Sequence, residues 1–286
     1  MKSISFAITG ALSTIALSAA AQSAWLPEKG ELVVTPGYTY QSYDEFWLGK
    51  TRVKLPEDIV QQTGFVNFEY GIIPRLAADF TIGYTRVDFN PPGADFKRDG
   101  LDDTRIGLRY RLVDENASGN RWIPAVALRA GGIIAGTYDV PNTLPPINPG
   151  DGANGFETSL SFGKRFGETG FGAYGSFGGR VRDHDVPADI FGSAGVFKQL
   201  GPVTVNFGYR HTQGLSGGDI GGPGFGTTFG FPQVKEIDQS IEGGISYTDK
   251  GGRSYQFLVA NTLDGRNTGE KLIFGLNISV PLRFLR

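Results

Sequence analysis

Asp183-His184-Asp185 sets an imidazole between two carboxylates, and the second histidine, His211, is followed by Thr212, Gln213 and, further on, Ser216. An imidazole beside a carboxylate can activate water, and a serine beside a histidine can attack an ester. Neither pattern reaches that standard here. The Asp-His-Asp triplet falls in a short turn, where such residues are ordinarily solvated, and no serine adjoins His211, whose alternation points it outward. Asp102-Asp103 would share the same rim as Asp183 and His184 without adding a nucleophile. With Cys 0 and His 2 the chain has no thiolate site and little basis for a metal. The stretch from Gly214 to Gly230 is dense in glycine, but no Lys-Ser/Thr follows at the spacing of a phosphate-binding loop and no helical pattern comes after it. It reads as a flexible external loop. No catalytic residue, cofactor or metal is expected, which leaves the charges that recur at alternate positions as the chemistry to explain.

Those charges need a two-sided sheet. In Thr104 to Val113, Ile106, Leu108, Tyr110 and Leu112 alternate with Arg105, Gly107, Arg109 and Arg111, a pattern that defeats a buried helix and suits a strand with one apolar and one polar face. Leu76, Ala78, Phe80, Ile82 and Tyr84 repeat it against Ala77, Asp79, Thr81 and Gly83. About twelve such segments follow one another: Glu31 to Tyr43, Ile59 to Tyr70, Leu76 to Phe89, Thr104 to Val113, Ile123 to Thr137 and Phe156 to Phe166 in the first half. The second half holds Phe171 to Arg182, Asp189 to Leu200, Val203 to Thr212, Val234 to Thr248, Ser254 to Asn261 and Lys271 to Phe284. Most reach the roughly 9 to 11 residues that a tilted strand needs to cross a hydrocarbon layer.

The connections alternate as well. Odd-numbered ones run to roughly 15, 14, 18, 6, 21 and 9 residues and even-numbered ones to roughly 5, 9, 4, 2 and 5, as in barrels with long external loops and tight periplasmic turns. Tyr84 and Tyr209 at one end, with Tyr70, Tyr110, Tyr247 and Phe284 at the other, supply an aromatic ring at each boundary. Residues 1–21 read as an export signal, with Lys2, an apolar stretch from Ile4 to Leu17 and the small residues Ala19-Ala20-Ala21 before a cut ahead of Gln22. Residues 22–286 then form one all-β domain, a transmembrane antiparallel up-and-down β-barrel in the outer membrane of a Gram-negative bacterium. Lys+Arg 27 against Asp+Glu 29 provides no basic field for nucleic acid. The expected partners are outer-membrane lipid and lipopolysaccharide, the barrel assembly machinery and a small-molecule solute.

Alternation assigns the lumen. Arg105, Arg109 and Arg111, with Arg129, Arg180 and Arg210 on later strands, face inward together with Glu69, Asp79, Glu157, Asp238 and Glu242. The fourth and tenth strands lie opposite in a ring of twelve, so a basic wall facing an acidic one would set a transverse field across the pore. The other reading has these groups pair into a structural network, Asp79 with Arg105 or Arg111 for example. Inward glycines, among them Gly37, Gly83, Gly107, Gly178, Gly208, Gly244 and Gly275, widen the bore or ease bending. The Pro-rich loop from Val140 to Pro149 is the stiffer candidate to fold inward and narrow the passage.

Glu69-Tyr70-Gly71-Ile72, Gly100-Leu101-Asp102-Asp103-Thr104 leading into Gly107-Leu108-Arg109-Tyr110, and Pro124-Ala125-Val126-Ala127-Leu128 resemble the transporter-like outer-membrane β-barrel family labelled for the meta-pathway of phenol degradation. The likeness is strongest from Trp25 to Asp139. It implies an outer-membrane barrel concerned with uptake of aromatic or other small hydrophobic compounds, and no catalytic residues. Asp102 replaces the family's usual second glycine, adding charge at the outer mouth, and the chain ends in Phe284-Leu285-Arg286 instead of on the aromatic itself. The expected function is a passive outer-membrane channel for small solutes, with aromatic or acidic compounds as candidates, through a narrow charged lumen. The alternatives are a non-transporting structural or surface-interaction barrel and, third, a barrel hydrolase.

Overall fold

The computed structural model describes residues 23–115, 122–138, 140 and 147–283. Residues 1–21, expected to be an export signal, together with Phe284-Leu285-Arg286 and the centre of the Pro-rich loop, lie outside the described residues. The strands are β1 (Glu31–Leu48), β2 (Thr51–Ile73), β3 (Leu76–Phe89), β4 (Phe96–Leu101), β5 (Thr104–Val113), β6 (Ala125–Ile134) and β7 (Gly155–Arg165). After a short 3-10 turn at Gly167–Thr169 come β8 (Phe171–Arg182), β9 (Asp189–Leu200), β10 (Val203–Gly214), β11 (Ile237–Thr248), β12 (Ser254–Arg266) and β13 (Leu272–Arg283). Every neighbour pairs antiparallel, and β13 closes on β1 through a register from Glu31↔Arg283 to Ser42↔Leu272. Closure pairs the spanning stretch of each stave on both sides, which is what a backbone surrounded by hydrocarbon requires.

β4 and β5 share one place in the ring. The outer half of β3 pairs with β4, from Tyr84↔Leu101 to Phe89↔Phe96, and its inner half with β5, from Leu76↔Tyr110 to Thr81↔Arg105. The barrel is therefore twelve staves, the fourth broken at Asp102-Asp103. Its outer piece escapes alternation because Phe96–Leu101 carries Lys97, Arg98 and Asp99 in a row. The expected first external loop is a strand hairpin: β1 continues to Leu48 and β2 begins at Thr51, turning at Gly49-Lys50. Charges crowd this hairpin because it stands in water beyond the bilayer, and they pair across it, as Lys54 Nζ does with Asp44 at 2.5 Å. Pro56 falls inside the register shift between Tyr43 and Glu45, where the ladder asks no donor of it.

The outer wall exposes large apolar side chains all round: Ile106 and Leu108 on β5, Phe177 on β8, Phe207 on β10, Ile245 on β11 and Leu276 on β13 are each about half exposed or more. A water-soluble monomer does not carry such a belt. The inward faces hold two different interiors. Toward the outer mouth, Tyr43, Phe46, Leu55, Ile59, Val87 and Phe89 of β1–β3 pack with the loop residues Ile147, Ile220, Phe231 and Val234. Toward the middle and inner end the interior is polar and charged.

Two loop expectations change with this packing. Ile147, at the described end of the Pro-rich loop, is buried in the outer cluster, so that part does fold inward. The glycine-dense loop is fastened where flexibility was expected. Ile220 is buried, Asp219 receives two 2.7 Å bonds from Arg266, and Asn267 accepts from the Ile220 and Gly49 amides at 3.0 and 2.9 Å. Asn267 adopts φ 53, a left-handed conformation that asparagine tolerates, and this aims its amide at three chain segments together.

Candidate functional site in the barrel lumen

The strand register places Glu69 on β2, Asp79 on β3, Arg109 on β5, Arg129 on β6 and Glu157 on β7 at neighbouring heights on one wall. Arg109 is fully buried and pairs with Glu69, its Nε lying 3.8 Å from Asp79. Arg129 clamps Asp79 through Nε at 3.0 and 3.1 Å and Nη2 at 2.6 Å, and gives Nη1 to Glu157. Acid and base thus alternate along the chain of contacts Glu69–Arg109–Asp79–Arg129–Glu157, which spans five staves. Two glycines make room for the shared guanidinium: a Cβ on Gly107 would meet Arg129 Nη2 at 2.7 Å, and one on Gly131 would meet it at 3.0 Å.

The remaining expected residues pair just as locally. Arg180 binds Asp189 through Nε at 2.8 and 2.9 Å, Arg182 joins the same carboxylate at 2.5 Å, and Arg210 meets Glu242 at 2.6 Å. Asp238 takes Lys271 at 3.0 Å. The expected basic wall facing an acidic wall is not built, because each wall neutralises itself between strands one or two staves apart. Asp79 goes to Arg129 and Arg109, not to Arg105 or Arg111. Arg111 sits at the inner rim, donating to the Pro74 carbonyl at 2.6 Å and to Asp114 at 3.1 Å. Several inward glycines seat a neighbouring ring where a wider bore was expected: Phe65 against Gly37, Phe191 against Gly178 and Tyr174 against Gly208.

Arg105 stands apart. It faces inward two residues outward of Gly107, and among the described residues it makes no hydrogen bond or ion pair, with Glu157 and Asp103 acting on it only through space. It borders a cavity of about 310 Å³. The opposite wall of that cavity belongs to β8–β13, with Tyr174, Phe191, Asn206, Ser240 and Gln256 among its lining. A second, smaller cavity of about 40 Å³ lies toward the outside, shares Arg105, Arg180 and Thr212 with the first, and reaches the loop residues Val186, Pro187 and Pro232. Arg105 thus lies where the two cavities meet, together with Arg180 and Thr212.

The inner end of the large cavity is covered by a segment that alternation gave no reason to notice. Ser23, Ala24 and Trp25 lie inside the barrel. Arg109 donates to the Ser23 carbonyl at 3.3 Å, and Trp25 Nε1 donates to Glu115 at 2.9 Å. The indole meets Phe197 edge-on at 6.0 Å, with the Arg165 guanidinium 4.4 Å from its centre. Gly163 must be glycine here, since a Cβ would come within 2.7 Å of that ring. The only available signal was a lone tryptophan just after the small residues of the export segment.

No family model and no curated protein matches the chain. Among solved structures it is similar to the crystal structure of an outer-membrane channel from Pseudomonas putida F1, at 14% identity over 90% of this chain and 97% of that one, with TM-score 0.73. The KdgM porin follows at 8% identity over 86% and 98%, TM-score 0.48. The translocator domain of the autotransporter NalP from Neisseria meningitidis aligns at 11% identity over 90% and 90%, TM-score 0.48. The likeness is one of fold.

The hydrolase pattern finds no assembly to support it. His184 is exposed, with Nδ1 2.8 Å from Asp183, and sits at φ 54 in the β8–β9 turn. His211 shares the outer face of β10 with Phe207 and Tyr209, and its Nε2 lies 3.3 Å from Gln213. The two imidazoles occupy separate surfaces, and neither contacts a serine hydroxyl among the described residues.

Proposed function

We propose that the protein is a passive channel of the outer membrane, exported by residues 1–21 and admitting small polar solutes, with aromatic or acidic compounds as candidates. The observation that carries this reading is the pair of cavities inside a closed barrel with an apolar outer wall, which share Arg105, Arg180 and Thr212 and are lined by charged and polar side chains. A barrel kept only as a scaffold gains nothing from an interior of this kind, since apolar filling would be as stable. Eight staves leave room only for side chains and sixteen or more hold a wide aqueous channel, so twelve suits a narrow passage. The likeness in fold to a channel supports the reading.

A second reading, a barrel that does not conduct, is favoured by one feature: the apolar cluster covers much of the outer mouth and the 23–25 segment covers the inner one. Single-channel recording in planar bilayers separates the two. The channel reading expects discrete conductance steps, larger in Trp25→Ala by about twofold or more, because the ring that closes the inner end is then absent. Silence from the wild type, from Trp25→Ala and from a variant shortened in the 214–230 loop would reject it. Liposome swelling with aromatic acids, sugars and amino acids then ranks the solutes.

A further inference from the structure

Arg105 presents five N–H donors in a fixed fork, and every other inward arginine of the expected set already spends its fork on a carboxylate or a carbonyl. Among the described residues no carboxylate lies within ion-pair distance of it, and Glu157 and Asp103 act on it only through space. Glu157 is taken by Arg129, Asp102 accepts from Thr85 at 2.8 Å, and Asp103 accepts from the Gly136 amide at 2.9 Å and the Tyr138 hydroxyl at 2.7 Å. Surrounded by protein, Arg105 keeps its accessible face toward the cavity.

The same cavity is lined by two flat rings, one of which, Phe191, also carries the Arg180 guanidinium 5.8 Å from its centre. Phe191 and Tyr174 turn inward from β9 and β8, flanked by the hydroxyl of Ser193 and the amide of Asn206. The cavity volume, about 310 Å³, matches the lower end of sites that take small organic molecules. We propose that Arg105, with Tyr174 and Phe191, forms a binding station for a small organic monocarboxylate: the carboxylate lies bidentate on the guanidinium and the body of the molecule rests on the rings. The station rests on the channel reading in its biological role, but not in its chemistry, since a closed barrel with the same cavity would bind the same anion.

Benzoate is the probe, with benzamide as its neutral isostere. Titration of the full chain in detergent, followed by calorimetry, should show saturable benzoate binding with benzamide weaker by about tenfold or more, the factor expected for a charge-assisted pair. Arg105→Gln should bring benzoate down to the benzamide level, and Arg105→Lys should restore part of the difference. The unaltered protein is itself a test: equal affinity for benzoate and benzamide, or no benzoate binding at millimolar concentration, overturns the station whatever the variants do. Benzoate binding unchanged in a folded Arg105→Gln also overturns it. Conductance recorded on the same preparations keeps the two readings apart. Binding without conductance removes the channel and leaves the station, while conductance without binding removes the station alone.

Discussion

Arg109 and Arg105 stand four residues apart on the same face of one strand and do opposite work. Arg109 is wholly enclosed between Glu69 and Asp79, so its charge is consumed by the wall and does not reach a passing ion. Arg109→Glu would put a third carboxylate beside those two in a fully enclosed site. Removing one partner of a buried pair costs about 3–5 kcal/mol, and the added like charge raises that figure. The expected outcome is failure to refold in detergent, read as loss of the heat-modifiable band on an unboiled gel. Arg105→Glu removes no hydrogen bond among the described residues, so it should fold where Arg109→Glu fails and move the reversal potential in a salt gradient toward cations. A folded Arg109→Glu with a shifted reversal potential would return selectivity to Arg109. Which arginines face inward was legible from alternation alone. Which of them is left unpaired was not, because that depends on the register between strands distant in sequence.

The loop that carries Asp219 is held to the β12–β13 turn by charge and by the Asn267 amide, so its attachment should depend on pH. The hydrogen bonds from Arg266, followed by that from Asn267, hold the Asp219 carboxyl below its usual range against a smaller opposing effect of burial. A depressed carboxyl stabilises the attached state fully above its ordinary value of roughly 3.9 and loses that contribution as pH falls through the lower, folded value. Amide exchange at Ile220, whose N–H is bonded to Asn267, reports the attachment. Protection at that amide should hold from neutral pH down to about 4 and then decline, after correction for intrinsic exchange. Asp219→Asn should lose about tenfold in protection at pH 7 and show no such decline, as expected when a charged hydrogen bond is replaced by a neutral one. Equal protection in both proteins at pH 7 would mean that the carboxylate does not hold the loop. The sequence shows a run of glycines here and hides the anchor, since Asp219, Asn267 and Gly49 meet only after the ring closes. The β1–β2 hairpin was missed for a related reason: beyond the bilayer its outer face is wet and charged, and the few residues turned inward, Phe46 and Leu55, are covered by loops distant in sequence, so the period-two signal that marked every span fades.

At the scale of the whole molecule, the spans were readable because lipid outside and water inside impose opposite polarity on successive residues, and that demand repeats on every stave. The boundaries of β3, β5, β8 and β9 coincide with those expected from alternation for this reason. The ends of the barrel obey no such rule. The outer apolar cluster joins residues from Tyr43 to Val234, and the inner cover comes from a segment ahead of the first strand, so their order in the chain carries no trace of their meeting. The lipid-facing wall makes a prediction that only an intact membrane barrel can satisfy. Leu108 lies mid-strand with 52% of its surface exposed, whereas Tyr110 lies toward the inner boundary on the same face. Arginine at the bilayer midplane costs about 2–4 kcal/mol and near the interface about 0–1. Leu108→Arg should therefore lower the stability of the protein folded into lipid vesicles by that larger amount, measured by reversible unfolding in denaturant, and Tyr110→Arg by the smaller. In a barrel standing in water the gradient would vanish, because an exposed leucine replaced by arginine loses no favourable surroundings there. Equal effects at the two positions would take the wall out of the membrane, and with it the reason for a polar passage through the middle.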